Sequence, residues 1–197
     1  MALTFDSFTL AAPTADLSEE PAARGTADCV EFRMDLATDP LEMLADHDAE
    51  LPILATNRAE WEGGQAVETG RLDALEAALE HEAVAAIDIE LAALAADGNG
   101  DTDRARALVD AAERAGARVV VSTHDFESTP RRAVLSDRLR RAAERGDVGK
   151  IAVTATDRAD ALSVLAATHE LTTEGLDVAT MAMGEAGRRT RAVAPRS

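Results

Sequence analysis

Short runs rich in Val, Ile and Leu alternate with amphipathic stretches along the whole sequence. The runs predict seven β-strands, at residues 7–11, 28–33, 51–57, 85–91, 118–124, 150–154 and 176–182. Leucines between the runs recur at helical spacing, as at positions 72, 75 and 79, then 135 and 139, then 162 and 165. Residues 101–116 predict a helix that ends at a glycine, and Thr129 with Pro130 predicts the start of another. This alternation favours an α/β fold with a parallel sheet.

The order of polar residues separates two α/β architectures, the open doubly wound sheet and the closed barrel. Successive predicted strands carry polar side chains, at or just past the strand end for Glu31, Arg33, Arg58, Glu90 and His124, and at the strand start for Lys150. In a (β/α)8 barrel these ends surround one active site, whereas an open sheet gathers polar groups mainly at one switch point. The first predicted strand is also followed by no Gly-rich phosphate loop. We therefore predict a (β/α)8 TIM barrel that forms a single domain over residues 1–197.

The period of two along each strand predicts which side chains face the barrel interior. Around Phe32, the charged Glu31 and Arg33 share one face and the apolar neighbours share the other. The same rule groups further polar residues on one face: Asp88 with Glu90, Ser122 with His124, and Lys150 with Ala152 and Thr154. Charged side chains at the rim of a packed barrel are costly unless they are paired or bind a ligand. This cost favours a functional site.

Composition and charge narrow the possible partners. The formal net charge of −17 argues against nucleic acid and anionic membranes, because both require a positive surface. The sequence has neither a basic and apolar leader nor an apolar run long enough to cross a bilayer, so we expect a cytoplasmic protein. Cys29 stands alone in a strand pattern, which is typical of an inert buried thiol.

Lysine usage is the most unusual feature of the composition. Lys150 is the only lysine among the 20 Lys and Arg residues, and the other 19 are arginines. An acidic surface with almost no lysine indicates adaptation to high salt, and a high-GC coding bias that turns Lys into Arg is the alternative explanation. In either case Lys150 is of interest, because arginine cannot lose a proton and attack a carbonyl carbon as an amine can.

Taken singly, these residues have ordinary explanations: a surface lysine, a structural histidine, and a salt bridge between Glu31 and Arg33. Together they fit a ketone substrate that carries a carboxylate. Arginines bind carboxylates through paired hydrogen bonds, and an amine among arginines in a water-poor barrel is expected to be partly neutral and nucleophilic. His124 is then the candidate general acid/base, and Glu90 is the candidate group that orients its imidazole.

Six ordered motifs resemble those of the type I 3-dehydroquinate dehydratases: EFRMD at 31–35, RAEWEGG at 58–64, IDIEL at 87–91, STHDF at 122–126 with TP at 129–130, GKIAV at 149–153, and MAMG at 181–184 with Gly187 and Arg191. The resemblance implies a (β/α)8-barrel hydro-lyase of the shikimate pathway that acts on 3-dehydroquinate. It implies a Schiff base between Lys150 and the C3 ketone, a syn elimination with His124 as general acid/base, and Glu90 as the partner of His124. The implied substrate-binding residues are Glu31, Arg33, Arg58 and Arg191, with Arg191 the carboxylate partner. The resemblance implies no metal or organic cofactor, and the family commonly forms homodimers.

Two departures from the family pattern concern the ends of the chain. Only six residues follow Arg191, whereas the family continues into an eighth strand and helix, so we expect that unit to be missing. A family serine on the first strand is also not evident. Two other functions remain open: another Schiff-base barrel enzyme such as a class I aldolase, and an inactive truncated barrel that only binds.

Overall fold

A computed structural model describes residues 3–96, 98 and 100–190, and divides the chain into two compact units, Met1–Val119 and Val120–Ser197. Its strands are β1 (Ala11–Thr14), β2 (Cys29–Arg33), β3 (Ile53–Thr56), β4 (Val84–Glu90), β5 (Arg118–Asp125), β6 (Val148–Thr154) and β7 (Val178–Met183). Its α-helices are α1 (Glu20–Ala23), α2 (Pro40–Ala45), α3 (Arg71–Ala78), α4 (Thr102–Ala115), α5 (Arg132–Ala143), α6 (Arg158–Thr173) and α7 (Gly184–Gly187), and 3-10 helices lie at Leu17–Glu19, Met34–Leu36, Glu60–Glu62 and Leu91–Leu94. The predicted alternation of strands and helices is confirmed. A single domain over residues 1–197 stays a prediction.

In the first unit, β1 to β4 pair in chain order and all run parallel. The register forms three successive rows across β2, β3 and β4: Glu31 with Leu54 and Ala86, then Phe32 with Ala55 and Ile87, then Arg33 with Thr56 and Asp88. The middle row is fully buried and apolar, while the outer two share the opposite face. The predicted common face of Glu31, Arg33 and Asp88 is therefore present.

In the second unit, β5, β6 and β7 also pair in chain order and run parallel. Ile151 and Val153 of β6 pack into a buried core with residues of α5 and α6: Leu135, Leu139, Val164, Ala167 and Leu171. Since side chains alternate along a strand, Lys150 lies on the face of β6 opposite to this helical core. Helices α5 and α6 thus pack on one face of β6, and Lys150 lies on the other.

The ends of two helices test the local signals in the sequence. Helix α4 begins after Asp101, whose carboxylate accepts a hydrogen bond from the Arg104 N–H at 3.0 Å, and ends before Gly116, as predicted. The predicted start at Thr129 is wrong, because α5 begins at Arg132. The Thr129 hydroxyl instead donates to the Thr154 carbonyl oxygen at 2.8 Å.

No helix among the described residues combines the length and apolar character that a membrane span requires.

The first strand was predicted too early in the chain, at 7–11. Phe8 is 56% exposed and Leu10 is 47% exposed, so neither contributes to the core that the alternation indicated. The Leu10 N–H donates to the Asp28 carboxylate at 2.8 Å, and the Leu10 carbonyl accepts from the Asp28 N–H at 2.9 Å. These bonds bring the chain beside β2, and β1 then follows with Pro13 opposite Glu31.

We expect the same substitution to have very different effects on stability at two leucines of the second unit. Leu139 is fully buried and Leu162 is 65% exposed. Leu139→Ala should lower the free energy of unfolding by about 2–5 kcal/mol, because it removes buried methyl groups and leaves a cavity. Leu162→Ala should change it by about 0.5 kcal/mol or less. Chemical denaturation measures both, and equal losses would contradict this packing.

Candidate active site

His124 and Lys150 lie on the same face of two neighbouring parallel strands in the second unit. Ser122 of β5 is opposite Lys150 of β6, and His124 is opposite Ala152. Alternate residues of a strand share a face, so His124 lies on the same face as Ser122, the residue opposite Lys150, and two residues further along β5. Both side chains are half-buried. The imidazole also stacks on the Phe126 ring, with centroids 5.8 Å apart and planes inclined by 9°.

Lys150 is the third residue of β6 and does not begin the strand as predicted. Val148 and Gly149 extend the strand, because they pair with Val120 and Val121 of β5. Gly149 is required by close packing: a Cβ at this position would lie 2.6 Å from the Leu139 carbonyl oxygen of α5. The α5 backbone therefore packs directly on β6 beside Lys150, and this contact holds that part of the strand in place.

The end of β6 is tied to the segment that follows β5. The Thr154 hydroxyl donates to the Phe126 carbonyl oxygen at 2.8 Å, and the Thr154 carbonyl accepts from the Thr129 hydroxyl. On the other side of β6, Met181 is opposite Ala152 and Met183 is opposite Thr154. Lys150 thus shares its face with apolar methionines as well as with polar groups.

In the first unit, Arg58 is buried between two carboxylates. Its Nη2 lies 2.8 Å from Asp88 Oδ1, and its Nη1 lies 3.4 Å from Glu90 Oε1. Burial alone would lower the pKa of this guanidinium, but the charges of Asp88 and Glu90 outweigh burial and raise the pKa. Arg58 therefore carries its positive charge at every pH of interest.

Glu90 also holds a second arginine that the sequence reasoning missed. Its Oε2 lies 2.8 Å from Nη1 of Arg71, and its Oε1 accepts the Ala59 N–H at 3.0 Å. Arg71 is only 2% exposed, although a single sequence suggests a solvated residue. The available signal was its position, because Arg71 lies on the buried stripe of α3 with Leu75 and Ala78.

Glu31 and Arg33 each have a partner that fixes their side chains. The Thr56 hydroxyl donates to Glu31 Oε1 at 3.2 Å. Arg33 donates to both carboxylate oxygens of Asp35, from Nε at 2.8 Å and from Nη2 at 2.7 Å. The hydrogen bonds to Asp35 raise the pKa of Arg33. Asp35 is thus the paired partner of Arg33 in a geometry that favours bidentate contact.

The segment after β3 folds back on Arg58 through its two glycines. The Arg58 carbonyl accepts the Ala66 N–H at 3.0 Å, and Gly63 has a left-handed φ of 79°. A Cβ at Gly64 would lie 2.0 Å from the Arg58 carbonyl oxygen, so no larger residue fits. The Gly63-Gly64 pair therefore shapes the turn around Arg58.

The predicted site residues fall into two described groups and one undescribed residue. Glu31, Arg33, Arg58 and Glu90 belong to the first unit, and His124 and Lys150 belong to the second. Arg191 lies outside the described residues. That Glu90 orients His124 stays a prediction, since the donors described for its carboxylate are Arg58, Arg71 and the Ala59 N–H.

Residues 8–197 match the family model described as type I 3-dehydroquinase. Among curated proteins, the chain is 60% identical over 194 residues to a 3-dehydroquinate dehydratase of Haloarcula marismortui, a match that covers 98% of this chain and 83% of the relative.

Two solved structures are similar over nearly the whole chain. The 3-dehydroquinate dehydratase of Geobacillus kaustophilus matches with a TM-score of 0.82 and 31% identity, over 96% of this chain and 79% of that one. The type I enzyme of Clostridium difficile, solved with covalently modified comenic acid, matches with a TM-score of 0.78 and 25% identity, over 94% and 79%. The predicted barrel class of the fold is supported by these similarities.

We expect Asp88 to be important for stability because it neutralises a buried charge. Asp88→Asn leaves the Arg58 guanidinium without one carboxylate, and removing one partner of a buried pair typically costs about 3–5 kcal/mol. The matched control is Asp103→Asn, because the Asp103 side chain is 98% exposed and its contact with Arg106 is 3.7 Å long. It should cost about 0–1 kcal/mol. Urea denaturation of both variants measures the difference, and similar losses would contradict the buried pair.

Proposed function

Since the chain belongs to the type I 3-dehydroquinase family, we propose that it dehydrates 3-dehydroquinate to 3-dehydroshikimate through an imine at Lys150. The observation that carries this proposal is the common face of Lys150 and His124 on adjacent strands. An amine and an imidazole so arranged can act on neighbouring carbon atoms of one substrate. The covalently modified ligand in the Clostridium difficile relative is in line with covalent chemistry.

In the proposed reaction, neutral Lys150 Nζ attacks the C3 ketone, the resulting hydroxyl takes up one proton, and water leaves to form an iminium ion. The iminium acts as an electron sink, so that His124 can remove a proton from C2 and generate an enamine. The enamine electrons then expel the C1 hydroxyl, which His124 protonates as it leaves as water. Hydrolysis of the conjugated iminium ion releases the enone product, returns the proton that was taken up, and restores the neutral lysine. Atoms and charges balance without an oxidant or reductant.

Four residues are proposed to bind the substrate: Glu31, Arg33, Arg58 and Arg191. Their chemistry suits a polyhydroxylated acid, because carboxylates accept from hydroxyls and guanidinium groups bind anions. This proposal is supported by hydrogen bonds that hold two of these side chains in defined orientations: Thr56 holds Glu31, and Asp35 holds Arg33. Arg191 as the carboxylate partner rests on the motif alone.

Glu90 is proposed to have two roles, one at the substrate-binding Arg58 and one at His124. Its contacts with Arg58 and with the Ala59 N–H favour a role in holding the substrate-binding arginine. Its role as the partner of His124 rests on the family resemblance. A carboxylate has about four lone-pair sites, so three donors do not exhaust its acceptor capacity.

The assay for the proposed function is incubation with 3-dehydroquinate, followed through the absorbance of the conjugated enone product. An aldolase would produce no enone from this substrate, and a protein that only binds would leave it unchanged. Action in the cytoplasm, a homodimer, and turnover without metal or cofactor stay predictions. Chelator treatment tests the last of these, because it should leave the rate unchanged.

Borohydride added together with 3-dehydroquinate should attach one reduced adduct to Lys150, because reduction traps the imine. Lys150→Arg should abolish both adduct and turnover, since guanidinium keeps the charge but remains protonated. Intact-mass and peptide mass spectrometry locate the adduct. Labelling of the N-terminal amine alone, or more than a trace of activity in Lys150→Arg, would overturn the imine mechanism.

His124→Ala should reduce turnover by roughly 10²–10⁴-fold while imine trapping at Lys150 continues, because only the proton transfers are lost. His169→Ala is the matched control, since His169 is exposed on α6 and should leave kcat and KM unchanged. The two variants are compared by steady-state rates and borohydride trapping. Undiminished turnover in His124→Ala would make His124 a structural residue.

A further inference from the structure

Arg71 is a buried cation that is poorly served by hydrogen bonds. Its Nη1 donates to Glu90 Oε2 at 2.8 Å and to the Asn57 carbonyl oxygen at 3.3 Å. Among the described residues, its Nε and Nη2 have no hydrogen-bond partner. A buried donor left without a partner is costly, so hydrogen bonding does not account for an arginine here.

What Arg71 offers that a neutral side chain would not is a positive charge beside Glu90. Its other neighbours contribute weakly: Nε lies 3.5 Å from the half-exposed carboxylate of Glu68, and the guanidinium carbon lies 5.8 Å from the centre of the Trp61 ring. A half-exposed carboxylate at 3.5 Å is partly screened by solvent, whereas the charge of the buried Glu90 carboxylate acts in a medium that screens it poorly. Glu90 is therefore the principal partner of this cation.

The distances show how Glu90 is divided between the two arginines. Its shorter contact, 2.8 Å, goes to Arg71, and its contact with Arg58 is 3.4 Å. Arg58 makes its own shorter contact, 2.8 Å, with Asp88. We call these four residues the Glu90 cluster: Arg58, Arg71, Asp88 and Glu90. The cluster contains two cations and two carboxylates, so its formal charges balance.

We propose that Arg71 is a positioning residue for substrate binding: it engages Glu90, and thereby leaves the positive charge of Arg58 available to an anionic substrate. Without Arg71, Arg58 is the only cation left to balance both Asp88 and Glu90, and the cluster carries one negative charge in excess. That excess repels a carboxylate-bearing substrate and draws Arg58 toward Glu90. This inference rests on the proposed function, in which Arg58 binds 3-dehydroquinate.

Four variants test the charge balance in full-length protein at constant ionic strength. Arg71→Met removes the charge and keeps the length, and Arg71→Lys keeps the charge. Arg71→Met/Glu90→Gln removes one cation and one carboxylate together, so the balance is restored. Arg104→Met is the control. Arg104 belongs to α4 and pairs at the surface with Asp73 and Glu76 of α3, the helix that carries Arg71. For each, kcat and KM for 3-dehydroquinate are measured alongside thermal melting.

Arg71→Met should raise KM roughly tenfold and change kcat much less, since networked residues couple by amounts of this order. Arg71→Lys should return KM to within roughly threefold of the wild type, because the charge is retained. The double variant should have a lower KM than Arg71→Met, although it has lost one more native side chain. Arg104→Met should leave KM unchanged even if the melting temperature falls.

Loss of packing alone predicts a different pattern, which would overturn the proposal. In that case the double variant would bind no better than Arg71→Met, or KM would stay constant in all variants. Should Arg71→Met fail to fold, the test moves to Arg71→Lys and the double variant, which leave no buried carboxylate without its counter-charge. A KM more than roughly tenfold above wild type in both would then overturn it. Absence of turnover in the wild type would instead refute the proposed function, so the two failures are distinguishable.

Discussion

Two guanidinium groups are buried in the first unit because the carboxylate of Glu90 stands between them. This one side chain at the end of β4 contacts Arg58 after β3, the backbone of the following turn at Ala59, and Arg71 in the first turn of α3. Burying such charges is unfavourable unless each has a counter-charge at short range. The positions of a strand end, a loop and a helix are thereby coupled, and the orientation of Arg58, the proposed substrate-binding group, depends on all three.

The second unit positions the two residues proposed to be reactive, His124 and Lys150, by packing and register. Ile151 and Val153 insert between α5 and α6, and this fixes the opposite face on which Lys150 lies. Gly149 allows α5 to approach the strand beside the lysine. The proposed imine chemistry needs an amine that is held in place yet able to change its charge, and apolar packing of the strand supplies the fixed position. The two units therefore use different forces to meet the same requirement for defined geometry.

Local signals in the sequence were sufficient for much of this arrangement. The extent of α4 up to Gly116 and the position of strand β4 depend on neighbouring residues, and both were predicted correctly to within one residue. The barrel class agrees with the similar solved structures, and the Haloarcula relative fits an acidic, lysine-poor chain adapted to high salt. Tertiary partners were not predictable: the Thr129 hydroxyl bonds to Thr154, 25 residues away, and the buried Arg71 pairs with Glu90, 19 residues away. The apolar residues around Phe8 predicted a strand at 7–11, but Phe8 is exposed and does not pack into the core.

The single lysine, set within a paired strand, also makes the chain unusual as a protease substrate. An enzyme that cleaves only after lysine has one target peptide bond, and cleavage there would separate residues 1–150 from 151–197. Proteases need several residues of extended, accessible backbone, whereas β6 is hydrogen-bonded to strands on both sides at this point. Digestion with such an enzyme therefore reports the opening of β6 as a single event that produces only two fragments. A covalent ligand on the lysine would remove the cleavage site altogether, so the same digestion would count occupied active sites.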